Sequence, residues 1–87
     1  MLGMTEAFGA YLSRVLSSKR KPGANCVRLV LKGGVYRLDL DAEKSGDKTY
    51  SHGGKVVLVV DEQLATALEG RTIDIEDTPA GPGLSVV

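Results

Sequence analysis

The chain has 87 residues, with 11 basic and 11 acidic side chains that cancel to zero net charge, and a single cysteine. A chain of this length hides only about 60 to 65% of its unfolded surface from water, enough for one core, so one domain over residues 1–87 is expected. Zero net charge removes the general attraction to phosphate that nucleic-acid and anionic-membrane binders use, so neither is an expected partner.

In residues 5–17, Phe8, Leu12, Val15 and Leu16 recur on one face of a helix, and Thr5 stands where an N-cap belongs. The basic Lys19-Arg20-Lys21 follows, where the helix dipole favours cations, and Pro22-Gly23 stops the helix. This cluster reads as a solvated helix end rather than a phosphate site, because one short stretch alone is basic. Val27, Leu29 and Leu31 then alternate with Cys26, Arg28, Val30 and Lys32, and Tyr36, Leu38 and Leu40 alternate with Val35, Arg37, Asp39 and Asp41. With Gly33-Gly34 between them, these two runs predict a hairpin.

Residues 42–48 are polar and contain Ser45-Gly46-Asp47, a loop. Thr49, Tyr50 and Ser51 form a strand that leads into His52-Gly53-Gly54, a second turn. Val56 to Val60 is apolar on both faces and belongs in the middle of a sheet. Asp61 is a candidate cap for a short helix with the stripe Leu64, Ala65 and Leu68, closed by Gly70. Ile73 and Ile75 mark another strand, and residues 84–87 a last one after the Pro79, Gly81, Pro82, Gly83 turn. The predicted class is α+β, a small twisted, mostly antiparallel sheet carrying two helices on one side. Its core is expected from Val27, Leu29, Leu31, Leu38, Leu40, Val57, Val59, Leu64, Leu68, Ile73 and Ile75, with Phe8, Leu12 and Leu16 packed on it.

The chemistry-bearing residues are few. Cys26 excludes an internal disulfide, and no CxxC or Cys/His pair has zinc spacing. As a small, partly buried strand residue it reads more simply than as a ligand. His52 is the one histidine, and the sequence shows neither a nucleophile nor an orienting carboxylate placed beside it. Gly33-Gly34 lacks the pattern of a phosphate loop, and no serine sits in a nucleophile elbow. Asp39 and Asp41, like Asp74, Glu76 and Asp77, could offer a face to a hard cation, although a charged strand face ordinarily serves solubility. The longest apolar run, Val56 to Val60, is far short of the ~20 residues that span a bilayer, and no basic leader opens the chain, so a cytoplasmic protein is expected.

In this order the chain resembles, nearly end to end, the HesB-like family of A-type iron-sulfur cluster carriers. The features that carry the resemblance are the helix from Thr5, the strand Val27-Arg28-Leu29-Val30-Leu31 into Gly33-Gly34, and Gly46-Asp47 with the aromatic strand after it. They continue with Gly54-Lys55-Val56-Val57-Leu58-Val59-Val60-Asp61, then Leu68-Glu69-Gly70-Arg71-Thr72-Ile73-Asp74-Ile75-Glu76-Asp77 and the turn Gly81-Pro82-Gly83-Leu84. In that family a cysteine follows the Gly-Gly pair, and two more lie in a Cys-Gly-Cys segment at the C-terminus. Here Val35-Tyr36 follows Gly34 and the sequence runs to Val87, while Cys26 lies before the hairpin, on the wrong side of it to substitute. The resemblance therefore implies a HesB-like fold and a place near iron-sulfur assembly, without cluster binding by the usual three cysteines.

The expected function is a non-catalytic interaction or accessory module, with no cofactor, no resident metal and no small-molecule substrate. Its partner would be another protein or a second copy in a weak homodimer, met through the loop 42–48 and an open strand edge, the apolar Leu84-Ser85-Val86-Val87 foremost. The alternative is an iron-sulfur or metal binder that completes its site across a dimer, with Cys26 and His52 as the candidate ligands. A soft cluster wants about four thiolates, and a simple dimer of this chain brings two.

Overall fold

The computed structural model describes residues 2–19 and 22–87, so Arg20 and Lys21 of the basic cluster lie outside the described residues. The element order is β1 (Gly3–Met4), α1 (Glu6–Ser18), β2 (Cys26–Lys32), β3 (Val35–Asp41), β4 (Lys48–His52), β5 (Lys55–Val60), α2 (Glu62–Ala67), β6 (Thr72–Thr78) and β7 (Gly81–Val86). The strands form a three-stranded sheet, β1-β6-β7, and a four-stranded sheet, β3-β2-β5-β4, with α1 touching strands of both. The class is α+β, as the periodicities imply.

Both helix caps form as the sequence predicts. The Thr5 hydroxyl accepts from the Phe8 N–H at 3.2 Å and donates to Asp74 Oδ1 at 2.7 Å, so one side chain starts α1 and ties it to β6. Asp61 Oδ1 accepts from the Leu64 N–H at 2.8 Å and starts α2. Caps of this kind are each worth about 1 kcal/mol. Gly33 and Gly34 turn the β2–β3 hairpin with φ of +58° and +79°, a region that side chains with a Cβ enter at a cost.

The pairing departs from the expected single antiparallel sheet in three ways. The strands divide between two sheets; β2 runs parallel to β5, through Val27↔Leu58 and Arg28↔Val59; and the two-residue β1 runs parallel to β6. The hairpins β2–β3, β4–β5 and β6–β7 remain antiparallel, so antiparallel pairing still predominates. The central place predicted for the Val56 to Val60 run holds, since β5 lies between β2 and β4 and Val57, Leu58, Val59 and Val60 are all buried. Along β5 the pairing to β4 skips Val57, a bulge that interrupts strict alternation and lets Val57, Leu58 and Val60 share one core.

That core also takes in Leu2, Phe8, Leu12, Val27, Leu29, Leu64, Ala65, Leu68 and Ile73, while Leu16, Leu38, Leu40 and Ile75 pack at its margin. Two residues of the expected set fall outside this cluster: Val59, fully buried but at the register position of Arg28 rather than in the cluster, and Leu31, at 47% exposure. Because β5 pairs with β2 only at Val27 and Arg28, the outer half of the β2–β3 hairpin overruns the sheet, and Leu31 near its tip passes beyond the core. Among the described residues no helix is long and apolar enough to cross a membrane.

Candidate functional site

Cys26 opens β2 opposite Asp41 and is 2% exposed, more deeply buried than a half-covered strand residue. Its thiol donates to the Asp41 carbonyl at 3.2 Å, and burial, only partly opposed by the Arg28 charge, raises its pKa. Both effects keep it a neutral thiol, the form least suited to bind metal or attack an electrophile.

Beside it lies a polar cluster that the strand alternation did not reveal. Arg28 faces away from the main core, as its place in the alternation requires, but is buried there rather than solvated. Its guanidinium reaches Asp41 Oδ2 through Nε at 2.7 Å, Asp47 Oδ1 through Nη1 at 3.0 Å, and Asp47 Oδ2 and the Ala42 carbonyl through Nη2 at 2.6 and 3.2 Å. The bidentate grip on Asp47 is the strong, fork-to-fork geometry of a planar guanidinium on a carboxylate. Asp41 and Asp47 are held below the usual carboxylate range chiefly by the Arg28 hydrogen bond, Asp41 to about 2, while the same bonds push Arg28 upward. Asp47 further accepts from the Lys44 N–H at 2.7 Å, so the loop between β3 and β4 is folded onto Arg28 from both ends.

The acidic strand residues accordingly divide. Asp41 is neutralised by Arg28, and Asp74 is lowered by the Thr5 hydroxyl and the Ile75 N–H. Asp39, Glu76 and Asp77 are exposed. Among the described residues no group of three His, Cys, Asp or Glu side chains is disposed to hold a metal ion.

His52, the last residue of β4, has the neighbours that the sequence could not show. Its Nδ1 lies 3.2 Å from Ser13 Oγ and its Nε2 lies 2.9 Å from Glu6 Oε1, both side chains projecting from α1. Between them is Gly9, where a Cβ would come within 2.7 Å of the imidazole Cδ2; the missing side chain is what lets the ring lie flat on the helix. The trio has the composition of a nucleophile, base and carboxylate but not the working geometry. Ser13 sits inside a continuous helix whose N–H groups bond within the helix, leaving none to stabilise an oxyanion, and the Glu6 carboxylate is 88% exposed. The arrangement docks α1 onto β4. The signal for it in the sequence was Gly9 itself, a glycine midway in a helix, three residues after Glu6 and four before Ser13. Cys26 and His52 are not brought together, since β5 separates their strands.

The architecture defines a small α+β scaffold in which the Arg28 cluster holds the β3–β4 loop and the His52 contacts hold α1 on β4. Compared with solved structures, the chain matches Escherichia coli SufA, described as involved in biosynthesis of iron-sulfur clusters, at 25% identity and a TM-score of 0.80, over 99% of this chain and 83% of that one. It also matches IscA, solved with its [2Fe-2S] cluster, at 20% identity and a TM-score of 0.72, over 100% of this chain and 84% of that one. These likenesses bear out, at the level of the fold, the HesB-like resemblance read from the sequence. No protein-family model and no curated protein matches the chain.

Proposed function

We propose that this chain is a non-catalytic interaction or accessory module on the HesB-like scaffold, a cytoplasmic protein working beside iron-sulfur cluster assembly proteins without holding a cluster through the family's usual cysteines. The observation that carries this reading is the chemistry at the two places where a thiolate is wanted. Where the resemblance sets a ligand cysteine after the Gly-Gly pair, this chain has Val35, 60% exposed beside the hairpin turn. The thiol it does possess, Cys26, is buried, hydrogen-bonded and shifted away from thiolate. The donor set does not fit a [2Fe-2S] cluster, which is held by about four soft ligands. The loop between β3 and β4, stiffened by Arg28, and the open strand edges are the surfaces left for protein partners.

The test is anaerobic incubation of the purified chain with ferrous iron and sulfide, then desalting, iron analysis and visible absorption, alongside titration of the isotope-labelled chain with a cysteine-bearing A-type carrier. The expected result is a colourless protein without stoichiometric iron, with carrier-induced shifts confined to a surface patch. Stoichiometric iron that survives desalting and disappears in Cys26→Ser would instead establish cluster binding by this chain.

A further inference from the structure

The four-stranded sheet ends on one side at β3, whose seven residues contain neither proline nor a bulge. Each other sheet edge is blunted: β4 faces the bulge in its pairing with β5, β7 contains Pro82, and β1 is two residues long. In a two-residue hairpin the flanking pair, here Lys32 and Val35, exchanges both main-chain bonds. Arg37, Asp39 and Asp41 therefore also turn their peptide groups toward β2, and Tyr36, Leu38 and Leu40 turn theirs outward.

We propose that β3 is a self-pairing edge, on which a second copy of this chain docks antiparallel about a two-fold axis through Leu38, joining two four-stranded sheets into one. In this register Leu38 meets Leu38 of the second copy, and Tyr36 and Leu40 meet each other reciprocally. All three are outward-bonding positions, so each finds a partner in the same phase, as an antiparallel ladder requires. The side chains on the opposite face of the strand select this register. Arg37 falls opposite Asp39 of the second copy, and Asp39 opposite its Arg37, two identical attractive pairs. A shift of the axis to Arg37 or Asp39 sets like charges face to face, and also puts inward-bonding residues at the centre. On the other face, the half-buried Tyr36, Leu38 and Leu40 at the margin of the core would gain apolar cover. The inference deepens the reading of the chain as an interaction module by naming one partner, and its test uses the chain alone, so its failure leaves the iron result untouched.

The experiment is sedimentation equilibrium between about 10 μM and 1 mM protein, with amide hydrogen exchange measured at both ends of that range. Self-association is expected, with protection of the Tyr36, Leu38 and Leu40 amides that grows with concentration. Arg37→Asp or Asp39→Arg alone sets like charges opposite each other twice per dimer and should weaken association by about tenfold. The double variant exchanges the two signs and should restore it. A chain that stays monomeric, association that leaves those three amides unprotected, or a double variant no better than the singles overturns the proposal. The exchange measurement on the unaltered chain decides it even if a variant fails to fold.

Discussion

Replacing Asp47 with alanine is the sharpest probe of how the loop between β3 and β4 is held. The Asp47 side chain is 5% exposed and that of Arg28 11%, so the pair lies largely out of water and the substitution leaves a buried guanidinium short of two charge-assisted bonds. Breaking a buried pair from one side costs about 3 to 5 kcal/mol. Asp41 and the Ala42 carbonyl still serve Arg28, which sets the expectation at the lower end, about 3 kcal/mol. At about 0.05 to 0.15 kcal/mol per residue the whole domain has only about 4 to 13 kcal/mol to lose. At about 4 to 8 °C per kcal/mol for a chain of this size, the melting temperature should fall by roughly 12 to 24 °C. Urea unfolding at pH 7 measures the loss directly, and the double variant Arg28→Met with Asp47→Leu should recover much of it, because it leaves no buried charge behind. A loss below about 1 kcal/mol for Asp47→Ala would show that the pair is solvated in solution and that the loop is held by other means.

The same carboxylates set the response to acid. Asp41, Asp47 and Asp74 all have lowered folded-state pKa values, so their contribution is present above the ordinary carboxylate pKa of about 4 and is lost as pH falls below it, toward about 2 in the case of Asp41. Melting temperature should therefore be nearly flat through neutral pH and drop across that acid window, with a shallower drop in a folded Asp74→Asn variant. Gly9→Ala should destabilise by about 1 to 3 kcal/mol in urea, because the added Cβ forces His52 off α1, although alanine is the better helix former by about 1 kcal/mol. Cys26 should react with an aromatic disulfide reagent at least about 100-fold more slowly in the native chain than in urea, since its buried thiol becomes available only on opening; equal rates would contradict the burial.

Much of the fold was legible because its signals are local. The caps at Thr5 and Asp61, the turn at Gly33-Gly34 and the alternation on either side of it each follow from a few neighbouring residues, and each is present. What could not be read were the joins between distant segments. The parallel pairing of β2 with β5 and of β1 with β6 leaves no trace in periodicity, because alternation records which face a residue takes and not which strand lies beside it. The misplacement of Leu31 follows directly, since its alternation is sound and only the two-residue reach of β5 along β2 exposes it. Arg28 was legible as a residue facing away from Val27, but its burial depends on Asp47 folding back from a loop 19 residues on. Ser13, His52 and Glu6 are likewise assembled by the docking of α1 on β4, with Gly9 as the single local hint.

The two-residue parallel join between β2 and β5 also bears on how fast the chain folds. Each antiparallel hairpin closes over a short loop and can zip within about 1 to 10 μs, but the join at Val27↔Leu58 and Arg28↔Val59 must first close some thirty residues of chain for only two ladder positions. Tethering β1 to β6 closes a loop longer still, with Thr5 reaching Asp74 across 69 residues. The ordering entropy of these closures falls before their contacts are gained, which places them late on the path and makes them the slow step. Leu58→Ala, at the join itself, should then slow folding in a stopped-flow chevron, and destabilising substitutions within the β2–β3 turn, which forms before the slow step, should also act chiefly on the folding rate and little on unfolding.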